Sequence, residues 1–212
     1  RRAFRNEVRA MAALDHPNIC EVFDYGTLDQ AAADASGGAL DAGLPYMVLE
    51  LVTGGTLGRR RGLLSWPDLR SVLAALLDAL AHAHARGVIH KDLKPGNVLF
   101  GDGGGEIRLT DFGLAHAMDR EGLTLETPAE RIAGTPAYMA PEQFVGTNRD
   151  IGPWTDLYAL GCLAYTMING APPFGRKPWQ TVAQDHLKKP LPSLAGAPMP
   201  LPEGLQAWMA RL

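Results

Sequence analysis

The densest chemistry in this sequence lies between His90 and Gly113. The run His90-Lys91-Asp92-Leu93-Lys94-Pro95-Gly96-Asn97 brings a carboxylate, an ammonium group and a side-chain amide close together, and Asp111-Phe112-Gly113 adds a second carboxylate fourteen residues past Asn97. The oxygen of Asn97 and the carboxylate of Asp111, brought together, suit a hard cation such as Mg²⁺, which takes few protein ligands and keeps its phosphates and waters. Asp92 lies two residues before Lys94. That pair suits a base that accepts a hydroxyl proton while the lysine neutralises a transferring phosphoryl group.

Several elements must hold these residues in place. Apolar residues at Phe4, Val8 and Met11 have helical spacing, and Asp15-His16-Pro17-Asn18 stops that helix, because a residue before proline is pushed out of the α region. Strand-like runs follow at Ile19 to Tyr25 and Pro45 to Val52, with an Ala/Gly/Asp-rich stretch from Ala31 to Gly43 between them that reads as a flexible surface loop. Ser65 to Gly87 is the clearest helix. Ser65 and Asp68 resemble a capping box, Leu69, Val72, Leu73, Leu76 and Leu80 form one stripe, and Gly87 stands where a C-terminal cap belongs. Short strands are expected around Val88 to Ile89, Val98 to Phe100 and Ile107 to Thr110, and a deeply buried helix from Asp156 to Asn169. Prolines 190, 192, 198, 200 and 202 then impose an extended loop before a last helix that begins at Leu205.

The motifs, in this order, resemble the eukaryotic-type protein kinases in their serine/threonine form. The resemblance covers nearly the whole chain and implies an α+β protein-kinase-like fold, with a mainly helical C-lobe and a partial β N-lobe. It divides the chain into 1–50 as N-lobe, 51–53 as hinge and 54–212 as C-lobe. Asp92 is then the catalytic base, Lys94 the γ-phosphate contact, and Asn97 and Asp111 the Mg²⁺ ligands. Gly134-Thr135-Pro136-Ala137-Tyr138-Met139-Ala140-Pro141-Glu142 resembles the end of an activation segment, in which Thr135 bridges Asp92 and Lys94. Asp156 matches the buried aspartate that ties down the catalytic-loop backbone. Tyr46 to Val52 looks like the strand entering the hinge, which makes Leu49 the gatekeeper, puts the Glu50 and Val52 backbone at the adenine edge of ATP, and sets Leu99 beneath the ring. Glu7 fits the helix glutamate that pairs with the ATP-positioning lysine, and Met11, Val22, His90 and Phe112 would stack as a hydrophobic spine.

The departures carry expectations too. The given sequence starts after the place of a Gly-x-Gly-x-x-Gly loop and a Val-Ala-x-Lys strand, so it reads as a fragment, and this stretch by itself is expected to have little phosphotransfer activity. Lys91 stands where the family more often has Arg. A point charge grips a phosphorylated loop less specifically than a guanidinium fork, so control by phosphorylation at Thr124 or Thr127 is expected to be weak. Glu142 is expected to lack the late arginine with which the family pairs it. The strand-like runs Ile19 to Tyr25 and Pro45 to Val52 are expected to expose an edge.

Bulk properties narrow the alternatives. In 212 residues, 46% hydrophobic and 20% charged values exclude collagen-like and disordered classes, and a net charge of -3 gives no reason to expect nucleic acid or an anionic membrane as partner. Two cysteines are too few for a disulfide framework, which suggests a reduced, cytoplasmic setting. The longest apolar stretch, Leu157 to Ile168, is too short to span a bilayer. Three readings stay open. A kinase acting on Ser or Thr of protein substrates keeps every residue of the chemical centre. A pseudokinase or docking module would normally have lost one of them, and a small-molecule kinase of related fold would not need the Gly134 to Glu142 segment. Composition and the Asp156 segment resemble bacterial members of the family.

Overall fold

The computed structural model describes residues 8–112, 136–145, 150–175 and 177–211. Residues 8–12 are helical and form the described part of α1. Strand β1 (Val22–Thr27) pairs antiparallel with β2 (Pro45–Leu49), with Val22 opposite Leu49, Tyr25 opposite Met47 and a bulge between Val22 and Asp24. A second ribbon joins β3 (Val98–Phe100) to β4 (Ile107–Leu109), with Val98 opposite Leu109. Isolated bridges from Ile19 to Leu109 and from Thr56 to Leu99 attach this ribbon to the chain on both sides.

Between β1 and β2 the structure corrects the sequence. Gln30–Ala35 is a short helix, α2, while residues 36–43 of the expected loop are turns and irregular chain. The oxygen of Asp29 accepts from the Ala32 N–H at 2.7 Å, so an N-cap and a run of alanines outweigh the disorder-like composition. Val88 and Ile89, read as a strand, are irregular, and both flanking strands differ from their expected bounds by a few residues.

The helical half is built on α3 (Trp66–His84) and α5 (Pro153–Asn169). At the start of α3 the capping box forms: Ser65 Oγ accepts from Asp68 N–H at 3.4 Å and Asp68 Oδ2 accepts from Ser65 N–H at 3.3 Å. At its end Gly87 adopts φ +74, its N–H donates to His84 O at 2.9 Å, and Val88 N–H donates to Ala83 O at 3.0 Å. These are the two bonds of a Schellman motif, which a glycine enters without steric cost. Leu69, Leu76 and Leu80 of α3 and Leu160, Leu163 and Met167 of α5 are among the most deeply buried residues of one continuous core. Around them lie α4 (Pro141–Val145), α6 (Trp179–Lys188) and α7 (Leu205–Met209). The proline-rich 189–204 segment is irregular, as expected.

Both cysteines are free and buried, and burial raises both thiols: Cys162 to about 12, and Cys20 in the same direction with help from the nearby Glu50 charge. They pack as small hydrophobes, not as nucleophiles. Among the described residues no helix is long and apolar enough to cross a membrane.

Candidate active site

The site is assembled by the base of α5. Asp156, fully buried, receives three donors: His90 N–H at 2.8 Å and His84 Nε2 at 2.7 Å on Oδ2, and Lys91 N–H at 2.8 Å on Oδ1. A carboxylate that has left water must have its lone pairs filled, and here the fillers are the backbone of the segment that carries Asp92. This is the tie expected of Asp156. His84, at the end of α3, was not anticipated, because nothing local in the sequence links it to a partner 72 residues on.

His90 is the second anchor. It has no exposed surface, its Nε2 lies 3.0 Å from the Thr110 carbonyl, and its Nδ1 accepts from the Asp92 N–H at 3.3 Å. A carbonyl can only accept and an amide N–H only donate, so the ring is the neutral Nε2–H tautomer. Burial lowers its basicity, with Asp156 the leading opposing influence. Its ring stacks on Phe112 at 4.6 Å. Met11 belongs to the same buried cluster as Phe112, whereas Val22 is only half-buried and lies outside that cluster; of the expected stack, the His90–Phe112 ring contact is the one seen.

With the loop fixed, the reactive groups converge. Lys94 Nζ donates to Asp92 Oδ2 at 2.6 Å. Asn97 Nδ2 donates to the Asp92 carbonyl at 2.9 Å and to the same Oδ2 at 3.3 Å. Asp92 is 9% exposed, and among the described residues nothing donates to its Oδ1. Oδ2 is thus committed, and among the described residues Oδ1 keeps its lone pairs free. Thr110 N–H donates to the Asn97 carbonyl at 3.0 Å, which draws the end of β4, and Asp111 after it, beside Asn97. Asp111 is exposed and sits at φ +63, a left-handed conformation that a non-glycine residue keeps only where its surroundings impose it.

These two groups fit Mg²⁺. The Asn97 NH₂ is used up on Asp92, so its acceptor Oδ1 remains, and the Asp111 carboxylate faces solvent. Among the described residues no cluster of three or more His, Cys, Asp and Glu forms a closed metal cage. A cation that needs one carboxylate and one neutral oxygen suits this donor set, whereas zinc would not.

The expected nucleotide-facing residues lie on the other ribbon and the chain after it. Leu49 closes β2, half-buried opposite Val22. The Glu50 N–H is committed to the Glu21 carbonyl at 2.9 Å, and its carbonyl takes only the weak Cys20 thiol at 3.5 Å. The Glu50 carboxylate turns to Arg108 Nε, 3.1 Å from each of its oxygens. The Val52 N–H and C=O make no hydrogen bond among the described residues. Two residues on, Gly54 N–H donates to Phe100 O at 2.8 Å, and a Cβ at Gly54 would lie 2.4 Å from the Phe100 and Gly101 carbonyls. Only glycine lets this segment press onto β3. Leu99, half-buried between buried Val98 and Phe100, faces the opposite side of that ribbon from the core.

Glu142, without an arginine among the described residues, finds another partner. Its Oε1 accepts from the Thr155 hydroxyl at 2.6 Å, and Thr155 Oγ1 accepts from the Gly152 N–H at 3.2 Å, so α4 is pinned to the start of α5 without an arginine. Glu7, Thr135, Thr124 and Thr127 lie outside the described residues.

Comparison with known proteins agrees with this geometry. The family model described as "Protein kinase domain" matches residues 1–199. The chain is 36% identical over 189 residues to the protein named "Probable serine/threonine-protein kinase PknB" of Bifidobacterium longum, covering 88% of this chain and 26% of that protein. It is 39% identical over 194 residues to the serine/threonine-protein kinase PknA of Mycobacterium tuberculosis, covering 90% and 42%. It is 38% identical over 202 residues to the DNA damage-responsive serine/threonine-protein kinase RqkA of Deinococcus radiodurans, covering 91% and 27%. The chain therefore spans between a quarter and two-fifths of the length of these bacterial relatives. Motif order, the Asp156-anchored loop and the family match agree: this chain belongs to the protein kinase domain family.

Proposed function

We propose that the protein is a serine/threonine protein kinase that transfers the γ-phosphoryl group of ATP to Ser or Thr hydroxyls of protein substrates. The observation that carries this reading is the split role of the Asp92 carboxylate, with Oδ2 held by Lys94 and Asn97 and Oδ1 without a donor among the described residues. As the substrate oxygen bonds to the γ-phosphorus and the bond to the β-phosphate oxygen breaks, Asp92 takes the hydroxyl proton and ADP leaves with the electron pair. Lys94, whose charge already sits against Asp92, balances charge on the transferring group. Asn97 and Asp111 would hold Mg²⁺, which when bound neutralises phosphate oxygens. Leu49, the Glu50 carbonyl, the Val52 backbone and Leu99 would receive the adenine, with residues 51–53 as hinge between an N-lobe at 1–50 and a C-lobe at 54–212. Glu7 and Thr135 keep the roles that the family pattern gives them.

The test is an Asp92→Asn variant of the full-length protein, assayed with labelled ATP against a mixed protein pool and, in parallel, small alcohols and sugars. Loss of general-base catalysis is expected to cut protein phosphorylation on Ser and Thr by about 10²–10⁴-fold. Undiminished transfer by Asp92→Asn, or transfer to sugars and not to proteins, would overturn the reading.

A further inference from the structure

The peptide group between Lys91 and Asp92 sits under unusual constraint. Lys91 has φ +66, a left-handed conformation that costs free energy in any residue with a Cβ. Its N–H is held by Asp156 Oδ1 at 2.8 Å. Its carbonyl is held from a different element: Gln143 of α4 donates Nε2 to Lys91 O at 2.8 Å. Gln143 is itself fixed at two points on Ala140, where its N–H donates to the Ala140 carbonyl at 2.9 Å and its Oε1 accepts from the Ala140 N–H at 2.9 Å. With Oε1 committed to a donor, the amide can present only its NH₂ to Lys91, so its orientation is settled by its partners.

Ala140 is fully buried and closes the Pro136–Tyr138 turn just before α4 begins. The side chain of Gln143 therefore brackets two segments: the end of the stretch that the family pattern assigns to substrate binding, and the loop that carries the base. Turning the Lys91–Asp92 peptide plane would swing the Asp92 carboxylate away from Lys94 and Asn97, and the Gln143 bond opposes that turn directly.

We propose that Gln143 is a positioning residue for catalysis, which holds Lys91 in its left-handed conformation and so makes the placement of Asp92 depend on the order of the Pro136–Ala140 segment. The inference rests on the kinase reading above for its consequence in rate. The bracket itself can be measured without any turnover.

The experiment uses the full-length protein with Gln143→Leu, Gln143→Glu, Lys91→Gly and the Gln143→Leu/Lys91→Gly double variant. Gln143→Glu still accepts from Ala140 but turns an oxygen toward the Lys91 carbonyl, so it breaks the bracket at nearly constant volume. In both Gln143 variants kcat on a Ser/Thr peptide is expected to fall roughly 10- to 100-fold, the cost of a small misplacement, with peptide KM and binding of an ATP analogue within about threefold. Amide exchange over residues 90–93 is expected to speed up about tenfold or more, while α5 is unchanged. Glycine takes positive φ freely, so in the Lys91→Gly background Gln143→Leu is expected to cost less than about threefold in kcat. Equal losses with Lys91 and with glycine at 91, or unchanged exchange over residues 90–93, would overturn the proposal. A wild-type protein that transfers no phosphoryl group would instead sink the kinase reading, and the exchange result would still decide the bracket.

Discussion

The two regions that would meet a nucleotide are built on different principles. The catalytic loop is held by polar groups from three helices: buried Asp156 of α5, itself braced by half-buried His84 of α3, and half-buried Gln143 of α4 beside it. The β1–β2 ribbon and the chain after it have thinner support. Phe23 is 60% exposed, Val48 45% and Leu51 86%, so apolar surface here faces outward and not into the core. The contrast teaches that the geometry of Asp92, Lys94 and Asn97 is a property of the helical half. The edge proposed to face adenine leaves the Val52 peptide groups open among the described residues, as a surface that must admit and release a ligand would.

The largest effect should come from Asp156. Replacing it by alanine leaves the N–H groups of His90 and Lys91 buried without an acceptor, and a loss of about 3–5 kcal/mol is expected in urea unfolding. A loss under about 1 kcal/mol would mean that the loop does not rely on α5, and the contrast would collapse. Next, Leu160→Ala in the core of α5 is expected to cost about 2–5 kcal/mol, while Leu51→Ser, at an 86% exposed site, should stay within about 0.5 kcal/mol. Comparable costs at the two sites would show that the ribbon is packed in solution.

A further effect is one of pH. His186 of α6 is buried against Phe144, Phe174 and Tyr158, its Nδ1 lies 2.7 Å from the Tyr158 hydroxyl, and burial pulls its basicity down to about 4. An unfolded chain binds this proton from about pH 6.5 downward, whereas the folded chain resists until about pH 4. The unfolded state therefore holds more protons in that window, and stability falls as pH drops from 6.5 toward 4. His186→Asn is expected to flatten that slope in urea midpoints measured across the window, and an unchanged slope would assign it to other groups, among them His90.

Motifs and caps were legible because their causes are local. Ser65, Asp68 and Gly87 mark the ends of α3 through bonds within a few residues. Ala31 to Gly43 misled for the same reason turned around: composition averages over the stretch, while a single N-cap at Asp29 decides six residues. His84, Gln143 and Thr155 were missed because each acts on a partner far along the chain or in another element, and a lone histidine, glutamine or threonine has no pattern of its own.

The sequence by itself determined which groups can react and in what order they occur, since the types and spacings of Asp92, Lys94, Asn97 and Asp111 are covalent facts. It also determined the helix caps, the proline-rich 189–204 segment and the apolar stripe of α3. Only the tertiary structure decided which Asp92 oxygen Lys94 and Asn97 hold, that Glu142 finds Thr155, and that Lys91 is clamped between Asp156 and Gln143. Those outcomes depend on burial. A polar group cut off from water must take whatever partner the packed elements bring to it, and that partner is set by the folded core, not by the neighbours in sequence.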